Sequence, residues 1–140
     1  MKDIVFDKIQ SIHRCIERVR EEYHLAGVNF CNDYSHQDAA ILNITRACEL
    51  AIDLANYAIR IRKIGIPTSS AESFSLLARK QIIPVQLEEK MISMVGFRNV
   101  AVHEYQKLKI EIIEAIIKNG LNDLLLFTDC IVKEFSNNDE

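Results

Sequence analysis

The stretch HQDAAILNITRACELAIDLANYAIRIRK, His36 to Lys63, runs for 28 residues without a glycine or a proline. Within it Ile41, Ile44, Cys48, Ala51, Ala55 and Ile59 recur at steps of three and four, the period of one face of an α-helix. Arg46, Glu49, Asp53, Asn56, Arg60 and Lys63 form a polar row alongside. The Gly65-Ile66-Pro67 segment is the predicted stop, because proline lacks a backbone donor and disfavours helical geometry in the residue before it.

Working outward, the same period holds on both sides. From Asp3, a suitable N-cap, Val5, Ile9, Ile12, Ile16, Val19 and Tyr23 form one stripe on a helix of about twenty residues. Gly27 to Ser35 loses the period and reads as a loop. Downstream, Ser69 followed by Glu72 is a capping-box pattern that predicts a short helix to about Lys80, with Phe74 and Leu77 inward, and Pro84 opens a fourth helix. Ile110, Ile113 and Ile117 continue the pattern to a predicted stop at Asn119-Gly120, and Leu124, Thr128, Ile131 and Phe135 resume it. No strand-like alternation intervenes. The predicted fold is all-α: an antiparallel four-helix bundle with one or two additional short helices, forming one domain over residues 1–140.

Composition narrows the function classes. Of 140 residues, 49% are apolar and only four are Gly and two Pro, which excludes a disordered chain and a turn-rich β-barrel. Cys15, Cys31, Cys48 and Cys130 are dispersed with no CxxC pair, so they read as reduced thiols in a cytoplasmic protein rather than a zinc or disulfide framework. Charges interrupt the N-terminal residues too often for a secretory leader, and no apolar run is long enough to span a membrane. With a net charge of -3, any contact with a phosphate backbone has to come from a local basic site. His13, Glu17, Glu21 and His24 have metal-ligand spacing but read as a solvated face, His36 as an exposed residue near a helix start, and Met91 with Met94 as core or seam.

The fourth helix carries the chemistry. Leu87, Met91, Met94, Val95, Val102 and Tyr105 fall in one sector of about 100°, with Arg98 in its middle. A guanidinium buried without a partner costs several kcal/mol, so this face either meets an acid, for which Glu49 and Asp53 are the candidates, or opens into a cleft. About 100° and about 140° away around the helix lie Asn99 and His103, one turn apart, with Gly96 beside them. Two copies of this helix meeting across a two-fold axis would bring the arginine of one to the histidine of the other. Histidine can take a proton from a ribose 2′-hydroxyl or return one to a leaving oxygen, and arginine offers a planar fork to a phosphate gaining charge. Such a pair suffices for metal-free RNA cleavage through a 2′,3′-cyclic phosphate, with DNA inert for want of the hydroxyl. Taken as chemistry alone, an arginine and a histidine five residues apart favour a structural salt bridge and a surface imidazole, and Tyr105 is by default a packing residue with its hydroxyl at the rim.

The octapeptide Arg98-Asn99-Val100-Ala101-Val102-His103-Glu104-Tyr105 resembles the R-x4-H-x-Y signature of the HepT toxins, within the HEPN superfamily of all-α ribonucleases. Arg46-Ala47-Cys48-Glu49 with Asp53, the Gly65-Ile66-Pro67 turn, the serine-rich cap before Phe74 and Leu77, and Met94-Val95-Gly96-Phe97 are similar to that family in order and spacing, over roughly residues 5 to 135. The resemblance implies a homodimeric, metal-independent endoribonuclease toxin of a type II-like toxin–antitoxin system, needing no cofactor. Arg98 and His103 are then catalytic, with Asn99, Glu49 and Asp53 as supporting polar residues. Its partner would be an MntA-like nucleotidyltransferase antitoxin that transfers AMP from ATP to Tyr105, silencing the toxin by placing a phosphodiester anion and a nucleoside beside Arg98. The substrate implied is RNA, with transfer RNA the family's suggestion; no DNA and no membrane are implied. The alternative is a non-catalytic helical module that binds such a transferase as an accessory subunit, or holds RNA without cutting it.

Overall fold

The structure, a computed structural model, describes residues 3–137, and within them every regular element is helical. Helix α1 spans Asp3–Ala26, α2 Tyr34–Arg62, α3 Ser70–Arg79, α4 Val85–His103, α5 Ile110–Ala115 and α6 Leu121–Asn137. Short 3-10 turns cover Gly27–Asn32 and Tyr105–Lys107. No helix among the described residues is long and apolar enough to cross a membrane.

Cross-links between side chains give the directions. Lys8 meets Asp53 and Glu22 meets His36, so α1 and α2 run antiparallel. His13 meets Thr128 and Tyr23 meets Glu114, so the C-terminal rod runs antiparallel to α1 as well. Glu49 meets Arg98 and Asp38 meets Tyr105, which sets α4 antiparallel to α2. Helix α2 is the hub and packs against α1, α3, α4 and α6. Its predicted stripe is buried, and Ala40, Ala47, Leu54, Tyr57 and Ala58 widen the buried arc well beyond one stripe. Alanines at these positions let neighbouring helices approach closely while the isoleucines fill the space between them. Each fully buried large side chain, such as Ile12, Ile44, Leu77 or Phe127, contributes about 1.5–3 kcal/mol on leaving water. Phe74 and Phe127 meet edge to face at 5.4 Å, tying α3 to α6.

Three boundaries differ from the sequence expectation. Helix α2 begins at Tyr34, with the Asp33 carboxylate accepting the His36 amide at 3.1 Å, so the predicted loop supplies the cap and also buries Phe30. The same helix stops at Arg62, before the proline turn. Lys63 adopts a left-handed φ of 54° while the Ile64 amide reaches back to the Ile59 carbonyl at 3.0 Å. The Asn119-Gly120 stop does not occur: the chain runs from α5 into α6 through a π-helical turn, Ile116–Gly120. Gly120 is there for close packing, since a Cβ would sit 3.4 Å from the Met94 sulfur of α4 and 3.1 Å from Ile116 Cγ2. Helix α3 starts as predicted. The Ser69 hydroxyl accepts the Glu72 amide at 3.0 Å, while the Glu72 carboxylate reaches back to the Thr68 amide and hydroxyl, whose hydrogen bonds hold its carboxyl below the usual range.

Candidate active site

Helix α4 buries Leu87, Met91, Met94, Val95 and Phe97, and its last two turns emerge from the core, leaving Val102 half exposed. Arg98 sits at that transition, with its side chain 23% exposed. Its Nη1 lies 4.0 Å from Glu49 Oε2 on α2, and its Nη2 donates to Ser70 Oγ on α3 at 3.4 Å. The Nε is buried and has no hydrogen-bond partner among the described residues. The guanidinium acts on the thiol of Cys48, which burial pushes up to about 12 against that opposing field. Arg98 is therefore desolvated along its shaft, loosely paired at its tip and only partly satisfied.

Glu49 meets Arg98 as expected; Asp53 does not. One helical turn further along α2, Asp53 lies 3.5 Å from Lys8 Nζ on α1, because the row turns away from α4 as it advances. Ser70 takes the second place, and capping chemistry at Ser69 is the only mark the sequence carries for it. His103 closes α4 and is exposed, as is Asn99 one turn before it. Within one helix, Arg98 and His103 are separated by about 140° of rotation and about 7.5 Å of rise, so a single chain presents them to different surroundings. Arg98 faces the α2–α3 side while His103 faces solvent.

Tyr105 departs from the expected sector. The helix ends at His103, Glu104 leaves helical geometry, and Tyr105 opens the following 3-10 turn, 44% exposed. Its hydroxyl donates to Asp38 Oδ1 on α2. Partial desolvation, then the hydrogen bond and charge of Asp38, push the phenol up to about 12, so it stays protonated across the neutral range. Asp38 carries no motif that marks it in the sequence. Its signal is spacing: it lies eleven residues, about three turns, before Glu49, so both project from one face of α2 toward α4. His36 is half-buried against Glu22 at 2.5 Å rather than exposed. His13 pairs with Thr128 Oγ1 at 3.2 Å, and among the described residues no cluster of three or more His, Cys, Asp or Glu is arranged to hold a metal ion.

An all-α bundle with a cationic, half-buried arginine, an exposed histidine five residues on and a reachable tyrosine two further defines the class: HEPN-type chains with an R-x4-H-x-Y motif. Comparison with known proteins agrees. The family model described as HepT-like, Ribonuclease HepT-like, matches residues 12–131, and the chain belongs to that family. It is 42% identical over 134 residues to the mRNA nuclease HepT of Shewanella oneidensis, across 96% of this chain and all of that protein. Two solved structures share 42% identity. One is the tri-AMPylated Shewanella oneidensis HEPN toxin in complex with MNT antitoxin, at a TM-score of 0.89 over 94% of this chain and 98% of that one. The other is a toxin–antitoxin with AMP-PNP, at 0.88 over 93% and 98%.

Proposed function

We propose that this chain is the ribonuclease toxin of a toxin–antitoxin pair, cleaving RNA at a site shared between two copies and silenced by AMPylation of Tyr105. The observation that carries the proposal is Arg98, a cation kept half-buried and incompletely satisfied on the same motif as an exposed histidine. Such an arrangement gains little for the fold and suits an arriving phosphate. His103 serves as general base or acid to the 2′-hydroxyl and the leaving oxygen, and Arg98 stabilises the charge on the phosphorane-like state. Asn99, next to Arg98 and one turn from His103, supports the polar wall, and Glu49 orients the arginine while Asp53, held by Lys8, contributes only to the rim.

The silencing half rests on Tyr105, exposed and oriented by Asp38. Its Oη attacks the α-phosphorus of ATP held by a nucleotidyltransferase partner, the phenolic proton passes to Asp38, the new O–P bond forms and pyrophosphate leaves. The resulting anion next to Arg98 competes with substrate phosphate for the same fork.

Purified protein incubated with RNA in EDTA is the direct test. Wild-type chain leaves products ending in a 2′,3′-cyclic phosphate, and His103→Ala loses at least about 100-fold in rate with its circular dichroism unchanged. Intact RNA with the unmodified wild-type protein overturns the nuclease assignment in favour of a binding module.

A further inference from the structure

A second polar feature lies outside the motif. Between α1 and α2 runs an open groove of about 530 Å³ whose walls include Arg14, Arg18, Arg46 and Glu49. That volume falls in the range of small-ligand clefts and suits about one nucleotide. Arg14 and Arg18 stand one turn apart on α1, and Arg46 faces them from α2. Arg18 is neutralised by Glu21 at 2.5 Å and Glu22 at 3.2 Å. Arg14 and Arg46 have neither ion-pair nor hydrogen-bond partners among the described residues, and both are exposed. Burial pushes up the thiol of Cys15 in the groove wall, and the charges of Arg46 and Arg14 both act on it in the opposite direction, so the two guanidinium groups lie near the same cleft wall. At the far end Lys8 and Asp53 cancel one another. Glu49 is the shared wall: it lines the groove on one side and lies 4.0 Å from Arg98 on the other.

We infer that this groove is a substrate subsite, in which Arg14 and Arg46 hold backbone phosphates of a single RNA strand passing to or from the Arg98 centre. The inference rests on the ribonuclease reading and deepens it. Planar guanidinium forks match phosphate oxygens, and on a chain of net charge -3 a concave site with two arginines unpaired among the described residues offers a polyanion local attraction. Glu49 contributes repulsion that its Arg98 neighbour offsets, so the strand is held at the arginine end and guided toward the motif. The groove reads phosphate and not the 2′-hydroxyl, so it supplies affinity, while discrimination against DNA stays with the chemistry.

The test is steady-state cleavage of a short single-stranded RNA by the full-length protein, as wild type, as Arg14→Ala/Arg46→Ala and as Arg14→Lys/Arg46→Lys, over a range of salt. The double alanine variant raises KM about tenfold with kcat preserved. The slope of log KM against log salt flattens by about 1.4, as expected when two phosphates of a single strand are no longer neutralised by the protein. The lysine pair restores the slope. An alanine variant with wild-type KM and slope overturns the inference, as does one that loses kcat at unchanged KM. Wild-type protein that cuts no RNA fails the ribonuclease reading itself, which separates the two failures.

Discussion

Arg98 pays for its position in desolvation. Its pairing with a half-exposed Glu49 at 4.0 Å is worth no more than about 1 kcal/mol, while its buried Nε goes unmatched. Replacing it by a well-packed apolar side chain removes that cost, so Arg98→Leu should melt at or above the wild-type temperature while cleavage is lost; a clear fall in melting temperature would mark Arg98 as a structural residue. Tyr105 gives a second prediction. Burial, and then the hydrogen bond and negative charge of Asp38, hold the phenol at about 12, so Asp38→Asn should lower it part of the way and leave the share due to burial. Alkaline absorbance titration, read against Tyr105→Phe to remove the other tyrosines, measures the shift, and AMP incorporation by the transferase should slow in the same variant. Arg98, His103 and Tyr105 stood out in the sequence through their resemblance to the R-x4-H-x-Y signature, since their types and spacing alone also fit an ion pair, a surface imidazole and a packing tyrosine. Asp38 and Ser70 did not, because a carboxylate in a first helical turn and a serine beside a cap look like ordinary local structure.

At the scale of the element, periodicity located every long helix, and local stereochemistry decided where each one ended. The proline turn after α2 was anticipated by a left-handed lysine, and Asn119-Gly120, a stop in isolation, became part of a π-turn in which Gly120 packs close to Ile116 and against Met94. The end of α4 matters most, since unwinding after His103 swings Tyr105 out of the apolar sector and over to Asp38. Helix α3 is short and depends on its cap, and it also presents Ser70 to Arg98. Ser69→Ala removes the acceptor for the Glu72 amide and should cost about 1 kcal/mol in urea unfolding. Equal stability would show the Thr68–Glu72 bonds to be sufficient alone.

The whole molecule raises the question of assembly, because one protomer turns Arg98 and His103 to different sides of α4. If each site takes its arginine from one copy and its histidine from the other, mixing Arg98→Ala and His103→Ala chains regenerates one intact site per mixed dimer. Co-refolded at equal amounts, the two inactive variants should recover about a quarter of wild-type activity, half the dimers being mixed and each holding one of two sites. Recovery at background level would place both residues in one chain. The sequence by itself determined the all-α fold, the partition of faces and the motif, because helical periodicity and the chemistry of Arg, His and Tyr are properties of neighbours along the chain. Only the tertiary structure decided which acid meets which cation. Whether Glu49 or Asp53 faces α4, and that Asp38 reaches Tyr105, depend on the rotation and crossing of helices packed from distant parts of the chain, which no local pattern encodes.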